Sequence, residues 1–279
     1  MNRDKCGRIN FNIMKEKRKG ARSIKDIPPV ILNQLNRGEI ETANLTEWLA
    51  VDQRILLENL LEQQNRSKYL NNILESVDQL KKQSVNSINE AIGTGLLSLA
   101  SAHNDEPFLS VLATHPSDLV RCWAAYTVGK NQALPLKEKL KRIQRFAADS
   151  HFGVREISWM TVRHDISKKL PESISILSEW SGHDDENVRR FACESTRPRG
   201  VWCEHIGQLK QNPGLALDIL EPLHSDPSRY VQDSVGNWLN DASKSQPEFV
   251  TEICDEWIKN SPTKETQYIV RKALRTIRK

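Results

Sequence analysis

With 279 residues, 38% of them apolar and 27% charged, the chain can bury a substantial core and still cover it with a water-facing surface, which excludes a predominantly disordered protein. The 40 Lys and Arg against 36 Asp and Glu leave a formal charge of only +4, too small by itself to mark a nucleic-acid binder. Five cysteines (Cys6, Cys122, Cys193, Cys203, Cys254) with no Cys-x-x-Cys pair argue for reduced thiols and against a disulfide or zinc framework.

The N-terminal residues contain no signal-peptide core, and a mean hydropathy of −0.57 leaves no apolar stretch of about twenty residues, so a soluble, cytoplasmic protein without a membrane partner is expected. Residues 1–25 carry nine basic side chains (Arg3, Lys5, Arg8, Lys15, Lys17, Arg18, Lys19, Arg22, Lys25) against Asp4 and Glu16, a balance of +7 that leaves −3 for the remainder. This predicts a basic flexible arm over 1–25 in front of a mildly acidic domain over 26–279. Such an arm either neutralises phosphates or is a solvated tail, and composition does not choose between the two.

Residues 45–102 read as two or three helices (LTEWLAVDQRILLENLLEQ, KYLNNILESVDQL, INEAIGTGLLSLASA) that form an irregular N-terminal cap. From about residue 103 a pattern repeats: DLVRCWAAYTVG, FGVREISWMTV, ENVRRFACEST, RYVQDSVGNWL and YIVRKALRTI, anchored on Val120, Val154, Val188, Val231 and Val270 at spacings of 34, 34, 43 and 39 residues. Periods in this range mean stacked helix pairs. The helix before most anchors opens at a proline, as in Leu134-Pro135, Leu170-Pro171, Asn212-Pro213 and Gln246-Pro247, where the missing N–H costs nothing. No segment alternates as a strand does. The chain is therefore expected to be an all-α solenoid of HEAT-like repeats, a monomer, with Asp118 and Arg121, and Asp185 and Arg189, bonding between repeats.

Counted from each valine, positions 0, +3, +4 and +7 share one helical face and are small or apolar almost throughout, from Val120, Trp123, Ala124 and Thr127 to Val270, Ala273, Leu274 and Ile277. Trp123 and Trp238 are thus expected in the core. Positions +2, +6 and +10 should line the concave wall: Cys122 and Tyr126, Glu156 and Met160, Arg190 and Glu194, then Asp233, Asn237 and Asp241. Acids on consecutive repeats are either solvated groups paired with Arg155, Arg190 or Arg197, or a functional row. The 43-residue spacing holds an insertion with Arg197, Pro198, Arg199, Gly200 and Trp202, in which Pro198 and Gly200 must stop the helix beyond Glu194. Two arginines beside a tryptophan suit phosphate and base contacts, though a structural turn has the same look.

The strings VRRFACESTRPRGVW, VREISW and YVQDSVGNWLNDASKSQPEFV, with RKGARSIKDIPPVILNQLNRGEIETANLTEWLAVDQ near the N-terminus, resemble the AlkC branch of the HEAT-like alkylpurine DNA glycosylases, the AlkC/AlkD superfamily. The resemblance covers most of residues 15–279. It departs from the family at Ser195, commonly glycine, and at Gly200-Val201-Trp202, commonly a Leu-Pro-Trp type of turn. It implies excision of cationic bases such as 3-methyladenine and 3-methylcytosine from duplex DNA without base flipping. The family's acids fall on Glu156, Glu194 and Asp241, its aromatic on Trp202 and its paired arginine on Arg190.

For that chemistry Glu194 is the expected main catalytic carboxylate, with Asp241 and Glu156 assisting and Arg190 orienting Glu194. Trp202 and Trp159 would add cation–π attraction of about 0.5–2 kcal/mol toward a charged lesion, and Arg197 and Arg199 would contact phosphates. Seven scattered histidines, no Gly-rich phosphate loop and no Gly-x-Ser-x-Gly elbow argue against a metal- or nucleotide-dependent enzyme, so no cofactor is expected. The competing reading is a non-catalytic HEAT scaffold that binds DNA or a protein partner.

Overall fold

Caps and prolines set the helix boundaries in this computed structural model, which describes residues 18–200 and 203–278. The N-terminal cap comprises α1 (Pro29–Asn36), α2 (Leu45–Ala50), α3 (Gln53–Gln63), α4 (Leu70–Asp78) and α5 (Val85–Ala102). The segment expected as one helix from Leu45 divides because Asp52 leaves the helical conformation and its carboxylate accepts the N–H groups of Arg54 and Ile55, starting α3 afresh. Ser84 and Ser87 close a reciprocal capping box on α5.

Five units follow. Their first helices are α6 (Glu106–Leu112), α8 (Leu136–Ala147), α10 (Leu170–Trp180), the pair α12 (Gly207–Gln211) and α13 (Leu217–Leu220), and α15 (Pro247–Asn260). Their second helices are α7 (Asp118–Gly129), α9 (Phe152–Lys168), α11 (Glu186–Ser195), α14 (Arg229–Ser243) and α16 (Lys264–Ala273). Among the described residues there is no strand, and no helix is long and apolar enough to cross a membrane. Proline opens α15 and the first turn of α10 and caps α8, as expected, but at Pro213 it begins only a 3-10 turn, Pro213–Ala216, so the fourth unit's first helix is broken.

The valine-anchored face is the core. All five valines are buried, Trp123 and Trp238 are fully enclosed, and the face stays buried through Leu274. It fails at Ile277, which lies beyond the end of α16 and is exposed. The arginine after the valine ties units together. In α7, Arg121 holds the carbonyls of His115 and Pro116 and reaches Asp149 of the next turn at 2.8 Å. In α11, Arg189 holds those of His183 and Asp184 and reaches Asp226 at 2.6 Å. Asp118 departs from this ladder: fully buried, it accepts the Thr42 N–H and hydroxyl at 2.9 Å and docks the cap on the first unit.

Two expectations fail at the cap. Cys122 and Tyr126 do not line the concave wall, because α5 lies across them: a Cβ on Gly93 would sit 2.4 Å from that of Tyr126, so glycine lets the two helices close. The flexible arm expected over 1–25 also does not hold at residues 18–21. Arg18 pairs with both carboxylate oxygens of Glu47 at 2.6 Å, and the Asn44 amide holds the Ala21 carbonyl, so residues 18–21 are tied to the body. Residues 1–17 lie outside the described residues.

Candidate active site

The second helices α9, α11, α14 and α16 contribute adjacent turns to a cleft of about 380 Å³ in the concave wall. Glu156 and Trp159 come from α9, Arg190 and Glu194 from α11, Tyr230, Asp233 and Ser234 from α14, and Lys272 from α16. The i, i+3 and i+4 spacings place these side chains on one helical face, and the stacking of units sets the faces side by side.

Glu156 is the open carboxylate. About a third of its side chain is exposed, one oxygen lies 2.7 Å from Arg190, and the other accepts the Trp159 indole N–H at 3.0 Å. Glu194 is buried. Arg197 donates to one of its oxygens at 2.7 Å and the Ser234 hydroxyl to the other at 2.6 Å, while Arg190 stands 3.7 Å away. Burial works to raise the Glu194 pKa, but the charges of Arg190 and Arg197, with the hydrogen bonds from Ser234 and Arg197, hold it below the ordinary carboxylate value. Glu194 is therefore ionised at neutral pH. Its charge is shared with two guanidinium groups.

Asp241 does not line the cleft. It is buried behind Arg197, whose Nη2 and Nε reach it at 2.6 and 2.9 Å, and Lys244 covers its other oxygen at 2.9 Å. Arg197, expected at phosphates, instead has its guanidinium buried between Glu194 and Asp241, with donors committed to both. Arg190 orients Glu156 more closely than Glu194, and it stacks over Tyr230 at 4.3 Å. Arg199 is half-buried and donates to the Ser245 hydroxyl. Trp202 lies outside the described residues. Three carboxylates are thus balanced by Arg190, Arg197 and Lys244, and the row of acids read from helical phase is a charge-compensated cluster.

Several contributors escaped the sequence reading. Ser234 sits at a core position of α14, and its one signal was a hydroxyl in an otherwise apolar face. Tyr230 precedes its valine by one residue, outside the counted positions. Asp233 joins Lys272 at 2.5 Å and the Tyr268 hydroxyl at 2.6 Å, closing the C-terminal side of the cleft. Beside it lie cations with no carboxylate partner among the described residues: Arg155 over Tyr230 at 5.2 Å, and Arg229 and Arg271 against Tyr268 at 3.5 and 5.3 Å.

Fold and cleft together define a HEAT-like helical solenoid whose concave wall carries a buried carboxylate–arginine cluster. Residues 154–277, which supply all of that cluster, match the DNA alkylation repair enzyme family. The structure is similar to the Pseudomonas fluorescens alkylpurine DNA glycosylase AlkC bound to DNA containing an abasic site analog, with a TM-score of 0.66 at 22% identity, over 93% of this chain and 66% of that one. It is also similar to AlkD2 from Streptococcus mutans, with a TM-score of 0.58 at 21% identity, over 74% of this chain and 98% of that one. In sequence the chain is 37% identical over 145 residues to the uncharacterized protein YhaZ of Bacillus subtilis (strain 168), a match that spans 51% of this chain and 38% of that relative. The later units thus match that family's pattern, and the chain shares the helical fold of AlkC and AlkD2.

Proposed function

We propose that the protein is a DNA N-glycosylase that releases cationic alkylated bases, of the 3-methyladenine and 3-methylcytosine type, from duplex DNA in base excision repair without flipping the base. One observation carries the reading: a buried carboxylate kept ionised in the cleft, Glu194, stands next to a more open one, Glu156, and the indole of Trp159. A base alkylated at N3 already bears positive charge and leaves as a neutral molecule without a proton from a general acid. What remains is to stabilise the oxocarbenium-like sugar and to place a water, and ionised carboxylates do both.

In this reading Glu156, the accessible group, meets the developing cation first, and Arg190 can shift its weight between Glu156 and Glu194 as charge develops. Glu194 supplies the fixed negative field. Asp241 acts through Arg197, which it holds in place. Trp159, almost fully buried beneath the cleft, acts through its indole N–H, which orients Glu156. Arg155, Arg229 and Arg271, free of carboxylates among the described residues, take the phosphates that Arg197 cannot, with Arg199 beside them.

The test is release of free base from N-methylated duplex DNA by the purified protein. Glu194→Gln and Glu156→Gln should lose release while keeping affinity for the duplex. A wild-type protein that binds duplex yet frees no base, even in excess over lesions, would overturn this reading in favour of a DNA-binding scaffold.

A further inference from the structure

Arg163 stands on α9 one turn beyond Trp159 and is almost fully buried, yet no carboxylate lies within ion-pair distance among the described residues. Its three nitrogens instead donate to three backbone carbonyls of the junction between α11 and α12: Nη1 to Ser195 at 2.9 Å, Nη2 to Arg197 at 2.6 Å and Nε to Glu204 at 2.9 Å. A buried guanidinium is tolerated only when its donors are met, and here all of the partners belong to one irregular segment from the next unit. The arrangement also explains a glycine. A Cβ on Gly200 would lie 3.0 Å from Arg163 Nη2 and 2.1 Å from Cys203 Sγ, so a larger residue would push the segment off the arginine.

The consequence runs into the site. The carbonyl that receives Nη2 belongs to Arg197, whose own guanidinium bridges Glu194 and Asp241. On its other side Arg163 stands 6.0 Å from the centroid of the Trp159 ring, which in turn donates to Glu156. We propose that Arg163 is a positioning residue of this site: by holding the backbone on both sides of the α11–α12 junction it sets the Arg197 bridge, and through it the placement of Glu194 against Glu156 and Trp159. Lysine keeps the charge but can substitute only in part, because a single ammonium does not span three carbonyls as a planar fork does.

The catalytic part of this inference rests on the proposed glycosylase reading, and the structural part does not. Glu194 is faced by Arg190 on its own helix, by Arg197 in the turn, by Glu156 and Arg163 from α9, by Ser234 and Asp241 from α14, and by the thiols of Cys193 and Cys203. Three measurements on Arg163→Met and Arg163→Lys, in a Cys6→Ser background, separate positioning from simple support. The carboxyl of Glu194, followed by 13C NMR, should titrate at a higher pH in the Met variant and near the wild-type pH in the Lys variant, which keeps the charge. Cys203, the half-buried thiol under the junction, should react about ten-fold faster with a thiol reagent in both variants as the segment opens locally. Base release at saturating DNA should fall about 100-fold in the Met variant with KM unchanged, and should recover in part with lysine.

Wild-type values for both the Glu194 titration and the Cys203 rate in Arg163→Met, with only a lower melting temperature, would overturn the proposal. Were the Met variant not to fold, an unchanged Cys203 rate in Arg163→Lys would overturn it equally. If the wild-type protein frees no base, the glycosylase reading fails, while the titration and the thiol rate still decide the role of Arg163.

Discussion

The cap and the units from α9 onward differ in what some of their arginines hold. In the cap Arg18, Arg37, Arg54 and Arg66 each hold a carboxylate, Glu47, Glu39, Asp78 and Asp105, at 2.5 to 2.7 Å. From α9 onward Arg189, Arg190 and Arg197 also hold carboxylates, but Arg155, Arg229 and Arg271 lie on tyrosine rings instead. A guanidinium committed to a neighbouring carboxylate has little charge left to offer. One stacked on a ring is held in direction while its N–H edge stays available to a phosphate oxygen. The cap also exposes Ile24, Val30, Leu45, Leu49 and Ile55, whereas the cleft and its stacked cations fall to the later units. The division places the carboxylate cluster and the cations stacked on tyrosine in the later units.

The comparison breaks most visibly at Glu194. Glu194→Gln should slow single-turnover base release by about 100- to 1,000-fold, on the scale of removing one preorganised electrostatic group, while an equal change at the cap's Glu39 leaves the rate untouched. Next comes stability. Asp241→Ala leaves the buried Arg197 short of a partner and should cost about 3 kcal/mol by urea unfolding, whereas Asp78→Ala, which breaks an exposed pair with Arg54, should cost at most about 1 kcal/mol.

Acid separates the two regions further. His115 is buried against the cap near Gly38, and burial, with the charge of Arg121, lowers its pKa from 6.5 to about 4. Between those values the unfolded chain binds the extra proton, so stability falls as pH drops from 6.5 toward 4 and this contribution levels off below. Glu194 acts in a lower window: held below the ordinary value of 4.5, it contributes stability that is present above that pH and is lost as pH falls through its folded value. His115→Gln should flatten the unfolding profile in the first window and Glu194→Gln in the second. The smallest effect sharpens the contrast in arginines. Arg229→Gln and Arg271→Gln should each reduce the slope of log affinity against log salt for undamaged duplex by about one, and Arg54→Gln should leave it unchanged.

Much of the architecture was legible because it is local. The valine period announced the units, and the three- and four-residue spacing identified the buried face from Val120 to Leu274. The arginine after the valine foretold the ties through Arg121 and Arg189, although Asp118, expected in the same ladder, was taken by Thr42 of the cap, 76 residues away. At the site, phase brought Glu156 and Glu194 to one wall together with Arg190. It did not reveal that Arg197 would be buried between two acids, that Asp241 would stand behind it, or that Arg163 would leave its own unit to hold the next one.

By itself the sequence determined a helical solenoid, its unit boundaries and its core face, since these depend on contacts between residues a few positions apart or one period away. Only the tertiary structure decided which cation neutralises which acid. Helical phase gives the direction of a side chain, but the depth and height at which it meets the next unit depend on how closely the helices approach and on the path of the junction after α11. The pairing of Arg197 with Asp241, 44 residues apart, and the three carbonyls on Arg163 exist only once those units are stacked.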